Sequence, residues 1–503
     1  MRPKGLVYIC LKYLVVLVVI AAPLSISAQS KKDRDNAKKL ILQAEKAFQQ
    51  KKYREAAEQY NQVVMLVPNN PQAHFWKAAS YYHLWVDGGA AVEGFQKSRK
   101  LENDPGRQKS IDAQIEQQNK DNKASSDEAL KEFGIAVTQG YQPLVDIYDL
   151  RAFIYHETKN FDAALDDIQK GLALQPNNLR FLKALGEISM DRKAFPIALD
   201  AFQKAAKVAP SDADIQYNMA RAYFALGDTK AQLTAADSAL AMGTRYPGEA
   251  YYLSADANQK LGKNAAAIEA YKKLINVKPD LFQAYVNLAE VYRNENRFDD
   301  AIAISKQGFK AFPNDGRLYT SLSEFYSLAD RPNDAVQAAR AGITLLPNTY
   351  RPFTNLCRAQ NSLKNYGEAV TACNGALTLQ PDDGETNFYL ANAYVGLGRS
   401  IEATNRYRKA VEGLSKYTND HPNSSDGWYL LGNALFADGQ YDRSIEAYQK
   451  SIAISPKFVR THVNLGIVYT RKKNKAAALE QYNFVLPADP ALAARLKTEI
   501  DNM

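Results

Sequence analysis

Apolar residues recur along this chain three and four positions apart, in short runs that come in pairs. In the stretch that ends at Pro313, Tyr285, Leu288, Ala289 and Tyr292 follow the spacing i, i+3, i+4, i+7 and predict one amphipathic helix. Ala301 and then, one turn on, Ser305 and Gly308 mark a second helix. The polar turn Asn294-Glu295-Asn296-Arg297 between them leaves no room for a strand. Other stretches repeat the design: Leu182, Leu185 and Gly186 lead to Ala198, Phe202 and Ala205, and His462, Leu465, Gly466 and Tyr469 lead to Ala478 and Tyr482. The turns recur as Leu226-Gly227-Asp228, Leu261-Gly262-Lys263 and Leu397-Gly398-Arg399.

Prolines set the period. Pro176 and Pro210 are 34 residues apart, and Pro279, Pro313, Pro347 and Pro381 continue at that interval, as do Pro422, Pro456 and Pro490. Cap residues follow, among them Asn69-Asn70, Asn177-Asn178, Ser211-Asp212, Asn314-Asp315 and Asp382-Asp383. A helix stopped by proline and another started by an Asn or Asp cap is the chemistry expected there. Gly or Ala at the eighth position and Ala at the twentieth lets the paired helices approach closely, and rings at the fourth, eleventh and twenty-fourth fill the space around that contact. One such hairpin cannot bury both faces, so hairpins must stack.

The period divides the chain. Residues 37–105 hold two repeats, 145–415 hold eight, and 425–492 hold the last two. Residues 106–144 read as a degenerate repeat whose polar stretch Gln117 to Asp127 is expected to be an exposed loop. Residues 416–424 are an insertion, expected as a helix extension with a longer loop, and 493–503 as a capping helix.

The run Trp428-Tyr429-Leu430-Leu431-Gly432 resembles the opening of the tetratricopeptide repeat, W-x2-L-G-x2-Y…A-x3-F…P over 34 residues. That resemblance spans about 37 to 492. It implies an all-α fold, a right-handed superhelical solenoid of antiparallel helix pairs, which acts as a non-catalytic scaffold for other proteins or peptides. It also implies that positions 2, 5, 6, 9, 12 and 13 of each first helix face a concave groove. Those positions place asparagines at Asn218, Asn287, Asn355, Asn392, Asn433 and Asn464, rings at Tyr217, Tyr252, Phe388 and Tyr429, and guanidiniums at Arg221, Arg293, Arg351 and Arg358. The asparagines resemble the ladder of protein O-linked N-acetylglucosamine transferases, with gaps. The alternative is that they are tolerated polar residues on an exposed face. The family's carboxylate clamp is absent, because position 5 is mostly Tyr, Phe, Val or Thr, and Lys183 is followed by Glu187 at position 9.

The amino terminus stands apart. Arg2, Lys4 and Lys12 precede or flank the apolar run Leu14 to Ala22, Pro23 ends it, and Ser27-Ala28-Gln29 offers a cleavage site. Residues 1–28 are therefore expected to be an export signal, with 29–36 a charged linker and a periplasmic or secreted destination. The alternative is an uncleaved anchor facing the periplasm, in a tethered component of an envelope export, assembly or polysaccharide-secretion machine. Only in that case is a membrane a partner. Cys10 lies too early, after Tyr8-Ile9, for lipidation.

The chain has 503 residues, too many for one compact core, and 30 Tyr against 3 Trp. Its formal charge of +8 is spread without a basic run, so no nucleic-acid partner is expected. Cys357 and Cys373 are either disulfide-bonded or two small buried core residues. The five histidines His74, His83, His156, His421 and His462 show no ligand spacing, so no metal is expected, and no cofactor or nucleophile motif is present.

Overall fold

The computed structural model describes residues 30–503, so the export segment and its Ser27-Ala28-Gln29 site lie outside the described residues. Those residues form twenty-five α-helices and no strand. The fold is an all-helical solenoid of antiparallel helix pairs, divided into two compact units at Leu226 and Gly227.

The first unit holds α1 (Lys31–Gln49), α2 (Tyr53–Leu66), α3 (Pro71–Leu101), α4 (Pro105–Thr138), α5 (Leu144–Glu157), α6 (Phe161–Leu174), α7 (Leu179–Asp191), α8 (Phe195–Val208) and α9 (Ala213–Leu226). Ser30 caps α1, so the expected linker is helical from Lys31 onward. Neither the polar loop nor a separate degenerate repeat is present. α3 and α4 are single long helices that make one extended hairpin, and Gln117 to Asp127 lies inside α4. Good helix formers and side-chain pairs one turn apart sustain that polar stretch: Glu116 with Lys120 at 2.8 Å, Gln117 with Asp121 at 3.0 Å and Lys123 with Asp127 at 2.5 Å.

Nearer the body of the unit, this hairpin is tied by a buried ionic cluster. Lys77 donates to Glu132 at 2.8 Å and reaches Glu128 at 3.0 Å, and the His74 ring bonds Glu132 and the Pro68 carbonyl. Burial pushes the Glu132 carboxyl up, but the bonds and charges of His74 and Lys77 outweigh it and hold it at about 2.

The second unit holds α10 (Thr229–Ala241), α11 (Pro247–Lys260), α12 (Asn264–Val277), α13 (Phe282–Asn294), α14 (Phe298–Ala311), α15 (Gly316–Leu328), α16 (Pro332–Leu345), α17 (Tyr350–Ser362), α18 (Tyr366–Leu379), α19 (Gly384–Gly396), α20 (Ser400–Asp420), α21 (Ser425–Ala437), α22 (Tyr441–Ile454), α23 (Val459–Arg471), α24 (Lys475–Val485) and α25 (Pro490–Asp501). The insertion at 416–424 is two extra turns of α20, and the loop after it is no longer than the others. Pro490 differs from the earlier prolines, for it opens α25 behind the cap Asp489 instead of closing a helix.

Local chemistry explains the hairpins. First helices end in a left-handed residue, glycine at Gly262, Gly398 and Gly439 but Lys193, Asn296, Asp330, Lys364 and Lys473 elsewhere. Around Lys193 the Ala194 amide donates to Ser189 and the Lys193 amide to Met190, the Schellman arrangement. Second helices end in an extended residue such as Gln175 (φ −138°) before the proline, where sterics exclude the helical region. Asn70, Asn178, Asp315, Asp383 and Ser424 then cap the next helix with side-chain oxygens. Alanines at the twentieth position, including Ala164, Ala198, Ala267, Ala301, Ala335 and Ala369, are fully buried. At the eighth position, a Cβ added to Gly186 would lie 2.3 Å from the Phe202 ring, and one added to Gly432 would lie 2.5 Å from Tyr448.

Candidate binding cavity

Within the second unit, six successive first helices (α13, α15, α17, α19, α21 and α23) line a cavity of about 1200 Å³. Its breadth exceeds the ~300–1,000 Å³ of small-molecule pockets. α20 and α22 add Tyr407, Tyr417 and Tyr448 from the second helices.

Polar contacts between segments far apart in sequence close the unit around this space. Arg293 of α13 donates to Asp426 of α21 at 2.7 Å and to its own neighbour Glu290 at 2.9 Å, with Glu324 at 3.8 Å. Lys457 pairs with Glu295 at 3.2 Å, Asn296 donates to the Lys457 carbonyl at 2.7 Å, and Arg460 donates to the Leu328 carbonyl at 2.8 Å.

Of the expected groove residues, Asn392, Asn433, Asn464, Phe388, Tyr429, Arg293, Arg351 and Arg358 line this cavity. The other six do not. Asn287 bonds the Tyr271 hydroxyl at 3.2 Å, Asn355 bonds the Thr320 carbonyl at 2.9 Å, and Tyr252 packs against the core of its own hairpins. Asn218, Tyr217 and Arg221 belong to the first unit, where Asn218 accepts from Arg221 at 2.9 Å.

The cavity asparagines do not form a free ladder either. Asn392 accepts from Tyr407 at 2.6 Å, and Asn433 accepts from Tyr448 at 2.6 Å and from Asn464 at 2.7 Å. Asn392 and Asn433 are each oriented by a tyrosine of the second helix.

Residues outside the expected set add all of the cavity's carboxylates and most of its rings. Ten aromatic side chains, eight carboxylates and five basic side chains line it. Glu290, Glu324 and Glu385 occupy positions 9, 9 and 2 of their repeats, and Tyr389 occupies position 6. The groove frame names those positions, so the signal was present once acids and tyrosines are counted with the amides. Arg351 pairs with Glu385 at 3.4 Å, and burial pushes the Glu385 carboxyl up to about 7 against the pull of Arg351. Arg358 carries no ion pair among the described residues and sits 5.9 Å from the Tyr389 ring centre. Chemically the cavity offers rings, amides and charges of both signs, the kinds of group found at protein-binding surfaces.

Among the described residues no group of three His, Cys, Asp or Glu could hold a metal ion, and no helix is long and apolar enough to cross a membrane. Family models of the tetratricopeptide repeat match residues 46–84, 255–303 and 432–473, residues 190–250, residues 145–178 and residues 388–424. No curated protein matches the chain. Among solved structures, it is similar to a tetratricopeptide repeat protein from Parabacteroides merdae, at 14% identity over 51% of this chain and 98% of that one, with a TM-score of 0.41. It is also similar to the MamA protein, at 22% identity over 34% and 94% of the two chains and a TM-score of 0.31. A third likeness is to one chain of the APC/C hetero-tetramer Cut9–Hcn1, at 17% identity over 92% of this chain and 96% of that one, with a TM-score of 0.35.

Proposed function

We propose that this chain, a member of the tetratricopeptide-repeat family, is a scaffold that holds a segment of a partner polypeptide in the cavity of its second unit. The observation that carries this reading is the lining itself: six first helices turn rings, amides and guanidiniums toward one space of about 1200 Å³. Tyr and Arg are favoured anchors at protein interfaces, and amides both donate to and accept from a peptide backbone. The role is binding, with no catalytic step.

Panning a display library of unstructured peptides against the full chain tests it. Retained peptides should lose binding to a Phe388→Ser, Tyr389→Ser variant with unchanged helicity. Equal binding by that variant, or no retained peptide, would reject the cavity as the site.

We further propose that the scaffold works after export, in the periplasm or outside the cell. The support is the basic start, the nine-residue apolar run Leu14 to Ala22 and the small residues at Ser27-Ala28. A second reading, a tethered component of an envelope machine, is favoured by the interval from Leu6 to Ala28, which only Lys12 charges. Mass determination of the mature amino terminus separates the two. A start at Gln29 in the soluble fraction removes the tether, and an intact Met1 in the membrane fraction removes the secreted scaffold.

A further inference from the structure

We infer that the segment held in the cavity is basic, with lysine or arginine side chains that enter between rings and carboxylates. This rests on the reading above, that the cavity takes a polypeptide. The chain as a whole carries +8, yet its cavity reverses that sign, with eight carboxylates against five basic side chains. Arg293 is held by Glu290 and Asp426, and Arg351 by Glu385, so these two cations and three carboxylates offset one another and leave five carboxylates against three basic side chains. Arg358 has Glu324 and Glu385 among the charges acting on it.

The surplus lies at the rim. Asp330, Asp382 and Asp420 are exposed, line the cavity and have no ion-pair partner among the described residues. Rings line the same cavity. The chain's own guanidiniums already lie near two of them, Arg351 at 5.7 Å from the Tyr350 centre and Arg358 at 5.9 Å from that of Tyr389. Seven tyrosines line the cavity in all, and their faces attract further cations. Exposed carboxylates and electron-rich rings in one cavity favour a cationic occupant in two ways: they steer its approach, and they supply seats that an acidic segment cannot use.

The test uses the full chain and three labelled peptides of equal length, alternating tyrosine and glycine with lysine, glutamine or glutamate, read by fluorescence anisotropy. The lysine peptide should bind about tenfold tighter than the glutamine peptide at low salt, and lose that advantage toward ~0.5 M salt. Asp330→Asn, Asp382→Asn, Asp420→Asn in one chain should weaken the lysine peptide severalfold and leave the glutamine peptide unchanged; all three sites are exposed, and circular dichroism checks the fold. Equal or tighter binding of the glutamate or glutamine peptide would overturn the basic preference while leaving the polypeptide reading intact. A lysine peptide that binds the triple variant as tightly as the unaltered chain would overturn that preference too. If none of the three peptides binds, both readings fall.

Discussion

Cys357 of α17 and Cys373 of α18 face each other with their Cα atoms 5.3 Å apart, both fully buried. They occupy the eighth and twenty-fourth positions of their repeat, where other hairpins set Gly186 against Phe202 and Gly432 against Tyr448. The repeat thus replaces a glycine–ring contact by a pair of sulfurs at a spacing that a disulfide spans without backbone movement. Arg358 follows directly, so this hairpin also carries part of the cavity wall.

A thiol titration on unfolded, unreduced protein should therefore find neither cysteine free. Reduction should cost about 3 kcal/mol, as expected for closing a loop of this length. Cys357→Gly with Cys373→Phe, which installs the pairing used by the other hairpins, should fold without the bond and show no change on reduction in a thermal melt. Two free thiols in that titration would show that the bond does not form.

The closure of the second unit is polar, and its members are partly exposed: Asp426 is 45% exposed and Lys457 68%. The Lys457–Glu295 pair should then contribute about 1 kcal/mol or less and weaken with salt, whereas loss of Asp426 should cost more because Arg293 is only 14% exposed. Asn296→Cys with Lys457→Cys, joined by a short bis-maleimide, should cross-link efficiently at low salt. The yield should fall when Asp426→Asn, which removes the partner of Arg293, is added. A yield indifferent to both salt and this substitution would show that the polar contacts do not hold the unit closed.

The cluster His74–Glu132–Lys77 predicts a pH window for the first unit. The Glu132 carboxyl is held below its ordinary value, so its contribution is present above about 4.5 and is lost as the pH falls toward about 2. Burial presses the His74 imidazole down, and its bonds to Glu132 and the Pro68 carbonyl more than reverse that. A raised imidazole contributes fully below 6.5 and loses its contribution as the pH climbs through the folded value. Denaturant melts should therefore give the greatest stability of this hairpin between the two limits. Glu132→Gln leaves the Lys77 ammonium, 5% exposed, without its closest buried partner and should cost about 3–5 kcal/mol.

The left-handed turn residues give an internal comparison. Lys193 (φ 59°) carries a steric strain that Gly262 (φ 69°) avoids at the equivalent place in another repeat. Lys193→Gly should raise stability by about 0.5–1 kcal/mol, and Gly262→Ala should lower it by a similar amount. Paired thermal melts check both signs.

The hairpins were legible in the sequence because everything that makes them is short-range. The cap at Asn178, the stop at Pro210, the small residue at Gly186 and the ring at Phe202 all lie within one 34-residue period, and each acts on neighbours in that period. The same frame contained the Cys357–Cys373 pairing and the groove positions of Glu385 and Tyr389. Two features were not legible. Gln117 to Asp127 lacks apolar periodicity and so suggests a loop, yet charge pairs one turn apart and a long partner helix keep it helical. Arg293 meets Asp426 across 133 residues. That meeting depends on small rotations accumulated from repeat to repeat, which are set by packing details and leave no periodic mark. The sequence by itself determined the helix pairs and the face each presents. Only the tertiary structure decided which faces enclose a common cavity, that its charge is opposite to that of the chain, and that half of the expected asparagines lie outside it.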